Sequence, residues 1–472
     1  MYLPIDDLKY LSISLPEEVK MYHYSGDFVG EIGCIDRRLS RPISLGLKKR
    51  LEIQRFFASL LINDYSLDFD AFLARVNERY PHVTKEDLSS LVLKGDIDFI
   101  LKGGEKYFQH QAVSNLFYVH SNDLGALNDP SFVPVDLSHS DIEHISEMKR
   151  DGYLAYRYEV EEKITIEPCA VREGETVRLW FPFPVACESQ PASEIKLISS
   201  SHPVNITGDV HRTAFMEVPC KAGEEYTVRF SYVNRAPYVD LSRKPSRMSA
   251  KKRLTDREIL HYTSEVFPHI RFTPYICELA EEIRGDETDP LVLAKRVYDR
   301  ICTDVKYSYV RDYLLIDNIP EYVLINGYGD CGTMSLAFIT LCRALGIPAK
   351  WQSGSYCDTE SISSHDWCMF YVEPYGWLYC DPSYAVGAVR RKNEIRREHY
   401  FGNIDPYRLV ASNEFQNTLI PDKLLCRKDP YDNQVGEAEY KDGVHNLFFG
   451  DFVFSRRVIK GERVYDSDIS NN

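Results

Sequence analysis

Cys331 stands between Gly329-Asp330 and Gly332 and leads straight into the apolar stretch "CGTMSLAFITLCRAL". That stretch has helical length and a stop at Gly346-Ile347-Pro348, so the thiol falls in the first helical turn. There the positive end of the helix dipole favours thiolate over thiol, the usual preparation of a nucleophile. A base and its orienter follow in order: His365 opens and Asp381 closes the segment "HDWCMFYVEPYGWLYCD". In a thiol mechanism Cys331 attacks a carbonyl, His365 takes and returns the proton, and Asp381 fixes the imidazole tautomer. The backbone N–H of Cys331 is a natural oxyanion donor, with Tyr309 and Tyr307 as side-chain candidates for a second. A tyrosine in a half-buried strand more often only packs, so both readings stay open. A zinc site is the chemical rival for Cys331 and His365, but no paired-ligand spacing accompanies them. Cys342, Cys368 and Cys380 fall inside a helix or strands and are assigned to the core.

Positioning these groups requires a helix against a hairpin. The turn Pro374-Tyr375-Gly376 suits a type I turn with glycine in a left-handed position. An odd loop gives His365 and Asp381 the same sheet face, but their register is staggered, which predicts a bulge or strong twist. A helix N-terminus packed on that face would present Cys331 to His365, expected to be the most reactive of the twelve cysteines. These elements place the catalytic core at 250–395. Before it, period-two runs such as "YLAYRYEVEEKITIE" and "EYTVRFSYVNR" predict an antiparallel β-sandwich over 150–245. Residues 1–125 show helical spacing, with Thr84 and Asp87 as a capping box, and read as a helical accessory domain. A polar stretch at 121–150 reads as a linker. Residues 396–472 read as a C-terminal extension packing on the core, with a strand pair in "HNLFFGDFVFSRRVI".

The pattern Gly329-Asp330-Cys331 before an apolar helix, "RALGIPAKW" after it, His365-x-Trp367, and Gly376-Trp377 with Asp381-Pro382-Ser383 resembles the transglutaminase-like superfamily. The likeness covers about 257–390, and "YFGNIDPYR" at 400–408 resembles a segment that follows the core in bacterial members. It implies an α+β fold with a papain/transglutaminase-like core, preceded here by the β-sandwich and the N-terminal helical region. It also implies Cys331, His365 and Asp381 as the catalytic positions.

Composition narrows the partners. The net charge of −15 repels nucleic acid, and "RRKNEIRR" at 390–397 reads as a solvated helix face. No run reaches the ~18 apolar residues of a membrane span. Scattered cysteines without an export signal point to reduced thiols in the cytoplasm. No cofactor or metal motif is present, so none is expected, and the expected partner is a peptide or protein substrate. Three outcomes fit the constellation: water resolving a thioacyl-enzyme (a peptidase or amidase), an amine resolving it (a transglutaminase), or peptide binding without turnover. By analogy with bacterial relatives, the hydrolase is preferred.

Overall fold

The Cys331–Ala344 helix buries every residue from Gly332 to Arg343, which follows from its being apolar on all sides. The computed structural model describes residues 5–95, 97–109, 111–117, 142–245, 253–390, 392–427, 429–448 and 450–465. Asp330 caps the helix: its carboxylate accepts from the Thr333 N–H at 3.0 Å, and its own N–H donates to the Thr333 hydroxyl at 2.9 Å. At the far end, Ile347 N–H donates to Cys342 O and Gly346, at φ 79°, donates to Arg343 O, closing a Schellman motif.

A five-stranded antiparallel sheet lies against this helix, in the order Phe401–Gly402, Gly376–Cys380, Ile362–Val372, Ala349–Cys357, Arg408–Ser412. Alternation divides its side chains. Cys368, Phe370, Val372 and Cys380 share a core with Met334, Phe338 and Leu341 of the helix. Trp367, Met369 and Tyr379 point the other way, into a cluster with Leu154, Val185 and Ala236.

That second face rests on the β-sandwich. One sheet holds Asn446–Leu447, Glu437–Tyr440, Thr176–Pro182, Thr213–Pro219 and Asn205–Thr207; the other holds Phe452–Arg463, Tyr153–Ile166, Glu225–Pro237 and Lys196–Ser200. The C-terminal residues are therefore divided. Residues 401–412 complete the sheet beside the helix, while 437–463 complete the sandwich. The expected strand pair in "HNLFFGDFVFSRRVI" does not pair with itself, because its two strands join different sheets.

The N-terminal helices Glu17–Ser25, Phe28–Leu39, Leu45–Asp64, Phe69–Asn77 and Lys85–Leu93 precede a short hairpin, Ile100–Lys102 with Glu105–Tyr107, that helical spacing did not announce. The Thr84–Asp87 capping box forms. Ile53 and Phe57 enter the same core as the Cys331 helix. Asn115 clasps the backbone of Tyr309 through both its amide atoms, at 2.8 and 2.7 Å, and Asp98 pairs with Arg311 at 2.8 Å. Most of the 121–150 stretch lies outside the described residues; Ile142–Asp151 is a helix.

Candidate active site

The structure places Cys331 in the first turn of its helix, half-buried, with its thiol directed at a carboxylate. Sγ lies 3.6 Å from Asp366 Oδ2, and Asp366 Oδ1 accepts from Gln434 Nε2 at 2.5 Å. The approach is close enough to need glycine at 332. A Cβ there would fall 2.1 Å from the Tyr313 hydroxyl and 2.8 Å from Asp366 Oδ2. Tyr313 in turn donates to Asp330 Oδ1 at 2.7 Å.

His365 and Asp381 meet each other rather than the thiol. His365 Nε2 lies 2.8 Å from Asp381 Oδ2, and no hydrogen bond joins either residue to Cys331 among the described residues. Strand periodicity explains the division. The helix packs on the face that carries Cys368 and Phe370, which is the face of Asp366; His365 shares the opposite face with Trp367, whose ring stacks against it at 6.1 Å. The stagger between His365 and Asp381 involves no shift in the pairing of their strands. Cys368 pairs with Cys380, and Asp381 lies past the end of the ladder, where the Pro382–Arg390 helix begins.

Asp381 is held as an anion from several sides. Arg408 Nη1 approaches its Oδ2 to 2.9 Å, the Ser383 hydroxyl donates to Oδ1 at 2.8 Å, and the Tyr384 N–H adds a third contact. Burial works against ionisation, yet the His365 and Arg408 charges and these hydrogen bonds win and hold the carboxyl below its ordinary range. Arg408 is itself buried, paired with Asp405 at 2.5 Å, and its guanidinium lies over the rings of Trp367 and Tyr384.

Cys331 opens on a cavity of about 270 Å³. Tyr307, Tyr309 and Tyr313 line it, together with Asp330, Asp366, Asp429, Asp432 and Glu437. This lining reverses the expected state of the thiol. Burial first, then the charges of Asp366 and Asp330, push the Cys331 thiol well above its ordinary value. The helix N-terminus favours the thiolate with only about half a charge, and burial together with two nearby carboxyls outweighs it. Burial likewise raises Asp366 and Asp432, and Asp429 to about 6.

Sequence reasoning missed Asp366, Tyr313 and Arg408. The parity that separates Asp366 from His365 was available in the alternation of "HDWCMF", where Cys368 and Phe370 are the residues an apolar helix would cover. Arg408 lies in the "YFGNIDPYR" segment already singled out by resemblance, though nothing in it indicated an ion pair with Asp381. All twelve cysteines are free, and no group of three or more His, Cys, Asp or Glu among the described residues is arranged to hold a metal ion. No helix of the described residues is long and apolar enough to cross a membrane.

Residues 278–382 match the transglutaminase-like superfamily, a span containing Cys331, His365 and Asp381. The chain carries a transglutaminase-like core. A "Putative Cysteine Protease" from Cytophaga hutchinsonii is similar to it over 66% of this chain and 91% of that one, at 12% identity and a TM-score of 0.43. The periplasmic domain of TgpA from Pseudomonas aeruginosa is similar over 57% of this chain and 99% of that one, at 15% identity and a TM-score of 0.30. No curated protein matches the chain in sequence. The Cys331 helix and the sheet strands Ala349–Cys357, Ile362–Val372 and Gly376–Cys380 all lie inside the transglutaminase-like core.

Proposed function

We propose that the protein is a thiol-dependent amide hydrolase that works through a thioacyl-enzyme on Cys331. The observation that carries this reading is the thiol in a helix's first turn at the wall of a cavity, inside a transglutaminase-like core. Cys331 Sγ attacks the amide carbonyl, and the C–N bond breaks as the leaving amine takes up a proton. Water then attacks the thioester, releasing the acid and restoring the thiol. The helix-start N–H of Cys331 is the oxyanion donor in this scheme.

His365, oriented by Asp381, is the proposed proton carrier. Its Nε2 is engaged by Asp381, while Nδ1 makes no hydrogen bond among the described residues. Because His365 lies on the opposite face of its strand from Asp366, this role requires a rearrangement at the start of that strand that frees the thiol from Asp366 and turns the imidazole toward it. Catalytic hydrogen bonds of this kind are often long or misaligned without substrate and tighten in the complex.

The test is a glutamine-containing peptide library incubated with the full chain and with Cys331→Ala and His365→Asn variants. Cleaved peptide or free ammonia, lost in both variants, is the expected result. Turnover that survives Cys331→Ala would remove the proposal.

A further inference from the structure

The cavity beside Cys331 is lined by more carboxyl groups than its own chain pairs with cations. Glu437 is matched by Lys423 at 2.7 Å and Arg427 at 3.0 Å. Arg311, the Lys or Arg among the described lining residues, is already taken by Asp98. Asp366, Asp429 and Asp432 are left with no Lys, Arg or His within ion-pair distance among the described residues. Asp432 is 5% exposed, lines the cavity, and its carboxylate meets no side-chain hydrogen bond or ion pair; the backbone at Gln434 is its polar neighbour. Nearby Arg427 acts on it only through its charge at a distance, since its N–H groups are spent on Glu437, Asn417 O and the Asp432 carbonyl. Burial makes ionising these unpaired carboxyls costly, and an incoming cation offsets that cost. The aromatic walls act in the same direction, because ring faces attract cations.

We propose that this cavity seats a cationic group of the substrate, an ammonium or guanidinium, next to the amide that Cys331 attacks. The inference rests on Cys331 being the reacting thiol. It also supplies a reason for the state of that thiol. Asp366, which adds to burial in raising the Cys331 thiol, is one of the carboxyls a cation would pair with, so a seated cation favours the thiolate. The ammonium has two possible sources: a basic side chain of the acyl donor, or an amine that accepts the acyl group.

Charged thiol reagents test the field without turnover. The full chain is treated with the cationic aminoethyl and the anionic sulfonatoethyl methanethiosulfonates, which have similar reach. Modification of Cys331 is followed by peptide mapping, and each rate is divided by that for 2-mercaptoethanol. A cationic preference of at least about tenfold is expected, since clefts of one sign raise the encounter rate of opposite charges by that factor or more. The preference should shrink in Asp432→Asn and in Asp429→Asn; the wild-type ratio decides if either variant does not fold. A ratio near one or inverted in the wild type, or one that neither substitution changes, overturns the proposal. Neutral methyl methanethiosulfonate separates the failures. A Cys331 that reacts with it but ignores charge loses the cation and keeps the thiol chemistry; a Cys331 inert to all three reagents loses both. Turnover distinguishes the sources. Preference for peptides with Lys or Arg near the amide assigns the donor side chain, and Cys331-dependent incorporation of monodansylcadaverine assigns the acceptor. Equal turnover of peptides bearing Glu in place of the basic residue, together with no incorporation of monodansylcadaverine, overturns both.

Discussion

At Cys331 two opposing fields meet, and their balance sets what the residue does at rest. The helix N-terminus favours a thiolate, but burial and the carboxylates of Asp366 and Asp330 keep the proton on sulfur. At neutral pH, iodoacetamide should therefore alkylate the exposed Cys169 and Cys277 before Cys331, the reverse of the order expected from the helix position alone. Asp366→Asn removes the nearest carboxyl, whose charge when ionised opposes the thiolate, so it should lower the Cys331 thiol pKa and speed its alkylation. A fall of one unit corresponds to roughly a tenfold gain in thiolate. The measurement is the pH profile of Cys331 alkylation by peptide mapping. A profile unmoved by Asp366→Asn would mean that the carboxylate is not what silences the thiol.

The elements around the site store their own constraints. Gly332 has no room for a methyl group, so Gly332→Ala should destabilise by about 1–3 kcal/mol, as overpacking does, with Tyr313 and Asp366 forced apart. Urea unfolding reads this directly. Arg408 joins the added strand Arg408–Ser412 to the end of the hairpin through Asp381 and Asp405. Both carboxyls lie below their ordinary range in the folded state, so the stability they confer is complete above about pH 4 and fades as the pH falls below it. Arg408→Met leaves two buried carboxylates uncompensated and should cost about 3 kcal/mol or more at pH 7, shrinking toward pH 3. A cost independent of pH would contradict the pairing. Local signals in the sequence announced the helix start at Asp330, its stop at Gly346, and the hairpin turn with Gly376 at φ 86°. Which face of the hairpin the helix covers is a tertiary choice. It was legible only by asking which of Asp366 and His365 shares parity with the apolar residues, and the strands at 437–440 and 452–463 pair with segments hundreds of residues earlier.

Across the whole molecule, the sandwich, the core and the N-terminal helices bear on one another around the cavity. Phe56 of the N-terminal region meets Phe448 at 5.7 Å, and Gln111 lines the cavity with Phe448. If a protease cuts between 118 and 141, the two fragments should stay associated through these contacts and the Asn115 clasp, and co-elute on gel filtration. Fragments that separate would make the N-terminal region an independent unit. Glu162 in the sandwich is fully buried, with neither carboxyl oxygen hydrogen-bonded, and burial pushes it up to about 8 against the pull of Arg456. The folded state thus binds its proton more tightly than the unfolded chain, so stability should fall as the pH rises from about 4 toward 8. Glu162→Gln should flatten that fall and raise the urea midpoint at pH 8 more than at pH 5; equal shifts at both would contradict it. The central claim, acyl chemistry on Cys331, is tested most directly by acid-quenching the full chain during turnover of the amide peptide library and mapping the adduct. An acyl mass on the peptide containing Cys331, absent in Cys331→Ala together with the turnover, is the expected result. Turnover with no acyl mass there, or persisting in Cys331→Ala, would contradict it.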